Sequence, residues 1–77
     1  MKVTETVRIM LIKRGNISEA ELARRVAMSP QNFNRKLKNE VFSVEDLQKV
    51  AKALDCSLNI SFTFNDTGEV MTVPQSS

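Results

Sequence analysis

Apolar residues recur at helical spacing through the first two thirds of the chain and then switch to strict alternation. Val7, Met10 and Leu11 stand three and four apart, which predicts a first helix over residues 4–14. Gly15 follows where a left-handed C-terminal residue is wanted, and glycine takes that conformation without steric cost. Three later segments share one start signal. Ser18 is followed by Glu21, a capping box, flanked by the apolar pair Ile17 and Leu22. Ser29 precedes Pro30, whose missing N–H suits the first helical position, and Met28 and Phe33 form the matching pair. Ser43 precedes Val44-Glu45-Asp46, flanked by Phe42 and Leu47. Each serine can accept a bond from an orphan backbone N–H, worth about 1 kcal/mol. The predicted helices run over 19–26, 30–37 and 44–55. The last carries Val44, Leu47, Val50, Ala51 and Leu54 on one face.

From residue 58 the period becomes two. Leu58, Ile60, Phe62 and Phe64 alternate with polar residues, which predicts a strand with one apolar face. Asn65-Asp66-Thr67-Gly68 is turn chemistry, and residues 69–73 read as a return strand. A loop of two or four residues puts Met71 and Val73 on the Phe62/Phe64 face, whereas three would put them on the opposite one. An isolated hairpin is marginal in water. Its apolar face is therefore expected to cover part of the helices, to pair with a second copy, or to do both. The polar tail, residues 74–77, is expected to fray.

Composition narrows the function more than the fold. The chain has 77 residues, 42% of them apolar, and a net charge of +2, which fits one ordered domain. Such a small chain buries only about 60% of its unfolded surface, so a partner adds stability. There is no His and one Cys, which leaves no Cys/His zinc site and removes the commonest general base. A lone Cys forms no internal disulfide, in keeping with a cytoplasmic setting. The longest apolar run, residues 9–12, is far below the roughly 20 that a membrane span needs. Two glycines build no phosphate-cradling loop. The expectation is a non-enzymatic chain without cofactor or metal.

The charge is uneven. Residues 1–40 hold nine Lys and Arg against four Glu, while residues 41–77 hold two Lys against five Asp and Glu. The N-terminal half is the face for a polyanion. Helices 2 and 3 are joined by only Ala27-Met28-Ser29, so they cross steeply, as in a helix-turn-helix. Leu22, Val26, Phe33 and Leu37 then point inward, with Ala23 small at the crossing. Helix 3 is left presenting Pro30, Gln31, Asn32, Asn34, Arg35 and Lys38, a face of amides and cations with no acid. Those groups read base edges and phosphates.

Residues 18–37, SEAELARRVAMSPQNFNRKL, followed by residues 43–58, SVEDLQKVAKALDCSL, resemble the lambda-repressor-like, Cro-type (Xre) helix-turn-helix family. The shared pattern is Ser-x-x-x-Leu-Ala, Met-Ser-x-x-x-Phe and Leu-x-x-Val-Ala-x-Ala-Leu, and the resemblance spans residues 4–58. It implies a mainly α fold, a four-helix helix-turn-helix domain over residues 1–56; the hairpin, residues 57–73, lies outside the shared region and is read from its apolar face as a dimerisation element of the same domain. It also implies a DNA-binding transcription regulator of bacterial or phage type, a repressor acting as a homodimer on near-palindromic double-stranded DNA. Helix 3 would enter the major groove, with half-sites about 34 Å apart. By the same carry-over Gln31 and Arg35 are the foremost base readers, joined by Asn32 and Asn34. Lys36, Lys38, Arg24 and Arg25 are the phosphate candidates. The hairpin's own apolar face, with Ile60, Phe62, Phe64, Met71 and Val73, is the expected dimer interface. The chain departs from the family at three places. Glu19 stands where a phosphate-contacting Gln is frequent, Pro30 where another base-reading Gln is frequent, and Ala27 where the turn usually has Gly.

The alternative is a protein-interaction module, antitoxin-like or an adaptor, whose hairpin adds to a partner's sheet. Phe33 is expected in the core rather than as a stacking platform, Cys56 as a small buried hydrophobe, and Met10, Met28 and Met71 as packing residues.

Overall fold

A computed structural model describes residues 3–74. The four expected helices are α1 (Val3–Lys13), α2 (Glu19–Arg25), α3 (Pro30–Asn39) and α4 (Val44–Ala53), followed by β1 (Ser61–Thr63) and β2 (Val70–Thr72). The three serines start their helices as expected. Ser18, Ser29 and Ser43 accept from the backbone N–H of Glu21, Asn32 and Asp46 at 3.0, 3.1 and 3.1 Å. Only Ser43 closes a full capping box, with Asp46 reaching back to the Ser43 N–H. The expected box at Ser18 is half made, because the Glu21 carboxylate is engaged by Arg24 and Arg25 further along its own helix.

The helices stop on left-handed residues that are not glycine. Ala27, Glu40 and Asp55 have φ of 59°, 55° and 55°. One residue after each, an N–H bonds back five residues: Met28 to Ala23, Val41 to Lys36 and Cys56 to Ala51. This closure satisfies carbonyls that the helix end leaves orphaned. It ends α4 at Ala53, earlier than the apolar pattern suggests. After α1 the turn uses both Gly15 and Asn16 at positive φ.

One core holds the helices together: Val7, Leu11, Leu22, Ala23, Val26, Phe33, Leu37, Val50 and Leu54. Ile17, Met28 and Phe42, the residues just before the three serine caps, pack onto it, as does Met10. The Phe42 ring meets Phe33 edge-on at 6.1 Å. Val44, expected on the buried face of α4, is exposed because it opens the helix at the rim of the core. Cys56 is half-buried against the core rather than enclosed.

Helix α3 packs on α1 and α2, and its far end is tied to the start of α1. The buried Thr4 hydroxyl donates to the Leu37 carbonyl at 2.5 Å, and the Thr4 N–H donates to Glu40 Oε1 at 3.0 Å. An orphan N–H of α1 and a carbonyl in the last turn of α3 are thereby satisfied together.

The strands are shorter than the alternation suggests, but their register is the expected one. Phe62 faces Met71, with Ser61 opposite Thr72 and Thr63 opposite Val70. Flanking bonds join Phe64 N–H to the Glu69 carbonyl and Val73 N–H to the Ile60 carbonyl, each 2.8 Å. The loop has four residues, and Gly68 takes φ of 78° at its end. Of the two fates open to the apolar face, cover for the helices accounts for only part of it. Ile60 and Val73 are half-buried, while Phe62, Phe64 and Met71 are exposed, Phe62 by 67%. Met71 is therefore not a core packing residue. The molecule measures 43 × 24 × 21 Å along its principal axes, elongated beyond what the helical core needs. Of the polar tail only Pro74 is described, and residues 75–77 lie outside the described residues.

Candidate nucleic-acid interface

The short link between α2 and α3 sets the interface. Ala27 turns the chain at positive φ, and Ser29 caps α3 with Pro30 at its start. Phe33 and Leu37 are buried against the neighbouring helices. At 3.6 residues per turn, their burial leaves Gln31 and Arg35 one turn apart on the opposite side of α3. Both are exposed, as are Asn32, Asn34 and Lys38. Asn39, which sequence reasoning passed over, extends the Gln31–Arg35 row by one more turn and is also exposed. The whole helix, PQNFNRKLKN, contains no carboxylate.

The α3 side chains are not independent. Arg35 Nη2 donates to Asn32 Oδ1 at 2.7 Å. Lys36 turns away from the row toward α4, where its Nζ lies 2.6 Å from Asp46 Oδ2. Asp46 also accepts the Ser43 N–H at 3.1 Å. The Lys36 ammonium, chiefly, and the Ser43 N–H hold the Asp46 carboxyl below the usual carboxylate range, against the opposing effect of burial. A lysine expected at a phosphate thus spends its charge inside the fold.

On α2, Arg24 and Arg25 share the one carboxylate of Glu21, with Arg25 Nε at 2.9 Å. That bond is the main reason the Glu21 carboxyl sits below its ordinary range. Two cations against one acid leave this flank of the helix-turn-helix positive. Glu19 has a partner that sequence reasoning missed: Arg8 of α1 bonds it through Nε at 3.0 Å. Local spacing gives no hint of a contact between residues eleven apart in sequence on two different helices. Glu19 also borders a shallow hollow with Ala20, Pro30, Phe33 and Asn34. Arg8 and Asn34 line the next hollow along α3, together with Lys38. The repulsion that an acid at position 19 brings toward a phosphate is thus offset locally by Arg8.

At the far end of the chain, the ladder brings Phe62 and Met71 together, with Ile60 opposite Val73. Phe64 shares that face by alternation. Among the described residues no group of His, Cys, Asp and Glu could hold a metal ion, and no helix is long and apolar enough to cross a membrane.

No curated protein and no solved structure matches the chain. A family model does: the Cro/C1-type HTH DNA-binding domain, over residues 6–59. That stretch runs from α1 through the exit of α4 and includes every residue of the α2–α3 unit. With four helices in this arrangement and the model covering more than half of its length, the chain belongs to the family of Cro/C1-type HTH DNA-binding domains.

Proposed function

We propose that the chain is a sequence-specific regulator that binds double-stranded DNA with α3 in the major groove. It acts as a homodimer on a near-palindromic operator and represses by occupying the promoter. The observation that carries this reading is the exposed row of α3, with Gln31 and Arg35 one turn apart opposite the buried Phe33 and Leu37, and no acid on the helix. A Gln amide can bond both hydrogen-bonding groups of adenine, and an Arg can do the same to guanine. Asn34 borders the row on the α1 side, within reach of a base edge or the backbone. Lys38, Arg24 and Arg25 supply phosphate contacts, while Lys36 holds the reading helix to α4.

The dimer is supported by the hairpin. Phe62, Phe64 and Met71 are exposed, and Ile60 and Val73 continue the same face. Fully burying a Phe or Met side chain contributes about 1.5–3 kcal/mol, so a second copy on this face gains several such terms. The same exposed hairpin favours one other reading, an antitoxin-like or adaptor module whose partner is a different protein.

Selection of bound duplexes from a random library, followed by a salt titration on the winners, tests the proposal. A near-palindrome with half-sites one turn apart, weakened steeply by salt, is expected. Arg35→Ala and Gln31→Ala should each cost about 1–3 kcal/mol on that site. Weak, salt-sensitive binding with no enriched sequence would reject the reading and direct the search to a protein partner at the hairpin.

A further inference from the structure

We infer that Asn32 is a positioning residue for Arg35, and that the two together select guanine over adenine at one base pair of each half-site. The inference rests on α3 being the reading helix. Asn32 and Arg35 lie three residues apart on the exposed side of α3, where such neighbours meet. The Asn32 carbonyl oxygen accepts from Arg35 Nη2 at 2.7 Å. The backbone of Asn32 is fixed as well, since its N–H donates to the Ser29 cap at 3.1 Å. The guanidinium of Arg35 is thus tethered to a rigid turn before any DNA arrives.

Two consequences follow from donor and acceptor chemistry. An Asn reads adenine by accepting from N6 and donating to N7, which takes both ends of its amide. Here the accepting end is turned to Arg35, so Asn32 is held on the guanidinium rather than poised for that two-ended contact. Arg35 has only donors. The tethered guanidinium therefore presents a row of N–H groups to the base. The guanine edge in the major groove offers two acceptors, N7 and O6, whereas adenine puts its N6 donor against that row. The second consequence is preorganisation. A long side chain held before binding has less freedom to lose on the base, so the tether strengthens discrimination without itself touching DNA.

The test compares selected duplexes and anisotropy titrations for the full-length wild type, Arg35→Ala, Asn32→Ala, Asn32→Asp and Gln31→Ala. The wild type should prefer guanine to adenine at the Arg35 position by about fivefold to 150-fold, the range of a good bidentate pair. Arg35→Ala should abolish that preference. Asn32→Ala should lower it by about three- to tenfold at the same base pair and leave the other positions unchanged, as expected for loss of part of one contact. Asn32→Asp retains an acceptor for the guanidinium. It should keep the guanine preference while binding more weakly to every sequence, because a carboxylate is repelled by phosphate. The inference is overturned if Asn32→Ala changes a different base pair from Arg35→Ala, if it changes none, or if Asn32→Asp loses the preference as fully as Asn32→Ala. A separate pattern marks failure of the underlying reading: neither Arg35→Ala nor Gln31→Ala alters preference at any position, and the inference falls with it.

Discussion

Lys36 and Asp46 tie α3 to α4 through a single carboxylate oxygen. Lys36 Nζ lies 2.6 Å from Asp46 Oδ2, and the same oxygen accepts the N–H of Ser43 at 3.1 Å. Their side chains are only 19% and 9% exposed, so solvent screens this pair far less than a surface one. Asp46→Asn keeps an acceptor for the cap but removes the counter-charge of Lys36. The loss should be about 1–3 kcal/mol, the worth of a hydrogen bond to a charged group, read as a lower urea midpoint. Asp46→Ala loses the cap as well and should cost about 1 kcal/mol more.

The same pair sets a pH dependence with a definite sign. In the folded chain, the bond from Lys36 holds the Asp46 carboxyl below its ordinary value of 3.8. The unfolded chain therefore binds the proton more readily. The stabilisation is fully present above the unfolded value and is lost as pH falls through the folded one. Urea midpoints should be flat in this respect near neutrality and decline below about pH 4. Asp46→Asn should shallow that decline, and an unchanged acid limb in the variant would show that other carboxylates govern it.

Ala27 occupies the turn at φ of 59°, a conformation that costs an L-residue about 1–2 kcal/mol and glycine almost nothing. Ala27→Gly should stabilise the fold by about 0.5–1 kcal/mol after allowance for the greater freedom of glycine in the unfolded chain. Ala20→Gly, on the exposed side of α2, is the contrasting change and should destabilise by about 1 kcal/mol. Thermal melts of the two variants should move in opposite directions.

These two sites mark the boundary of what local sequence carries. The serine caps, the turn at Ala27 and the burial of Phe33 and Leu37 follow from signals within a few residues, and all are present in the fold. The need to keep Phe62 and Met71 on one face narrows the hairpin loop likewise to two or four residues, and the fold takes four. Arg8–Glu19 and Lys36–Asp46 were not legible, because each joins residues on different helices and depends on tertiary packing. The half-made capping box at Glu21 shows a local competition. The spacing offers its carboxylate either the Ser18 N–H or two arginines further along the helix, and in the fold it bonds the arginines. Alternation revealed the apolar face of the hairpin but not what covers it, so the sequence left both fates open and misplaced only Met71 as a packing residue.

Lys36 and Lys38 should separate cleanly in a salt titration. Lys38 is exposed at the end of the α3 row, whereas Lys36 is committed to Asp46. Lys38→Ala should weaken binding evenly across sequences and reduce the magnitude of the salt slope by about 1. Lys36→Gln should lower the urea midpoint and leave the slope of the folded protein unchanged. Equal reductions in slope would mean that Lys36 leaves Asp46 for a phosphate when DNA binds.

The hairpin prediction bears most directly on how the domain works. Phe62 and Met71 face each other across the ladder and are both exposed, so Lys at each position should leave the helical core intact. In the double variant Phe62→Lys, Met71→Lys, like charges stand opposite each other on the face proposed to meet its copy. Sedimentation equilibrium should give a dimer for the wild type and a monomer for the variant. Circular dichroism should show helical content unchanged. Binding to an isolated half-site should then be equal in the two proteins, because α3 is untouched. Binding to the full operator should fall by about 10²-fold or more in the variant, since linking two reading helices makes the second contact intramolecular. A wild type that stays monomeric both free and on a full operator would overturn the dimer and leave the hairpin to a different protein. A variant that remains dimeric would move the dimer interface away from this face.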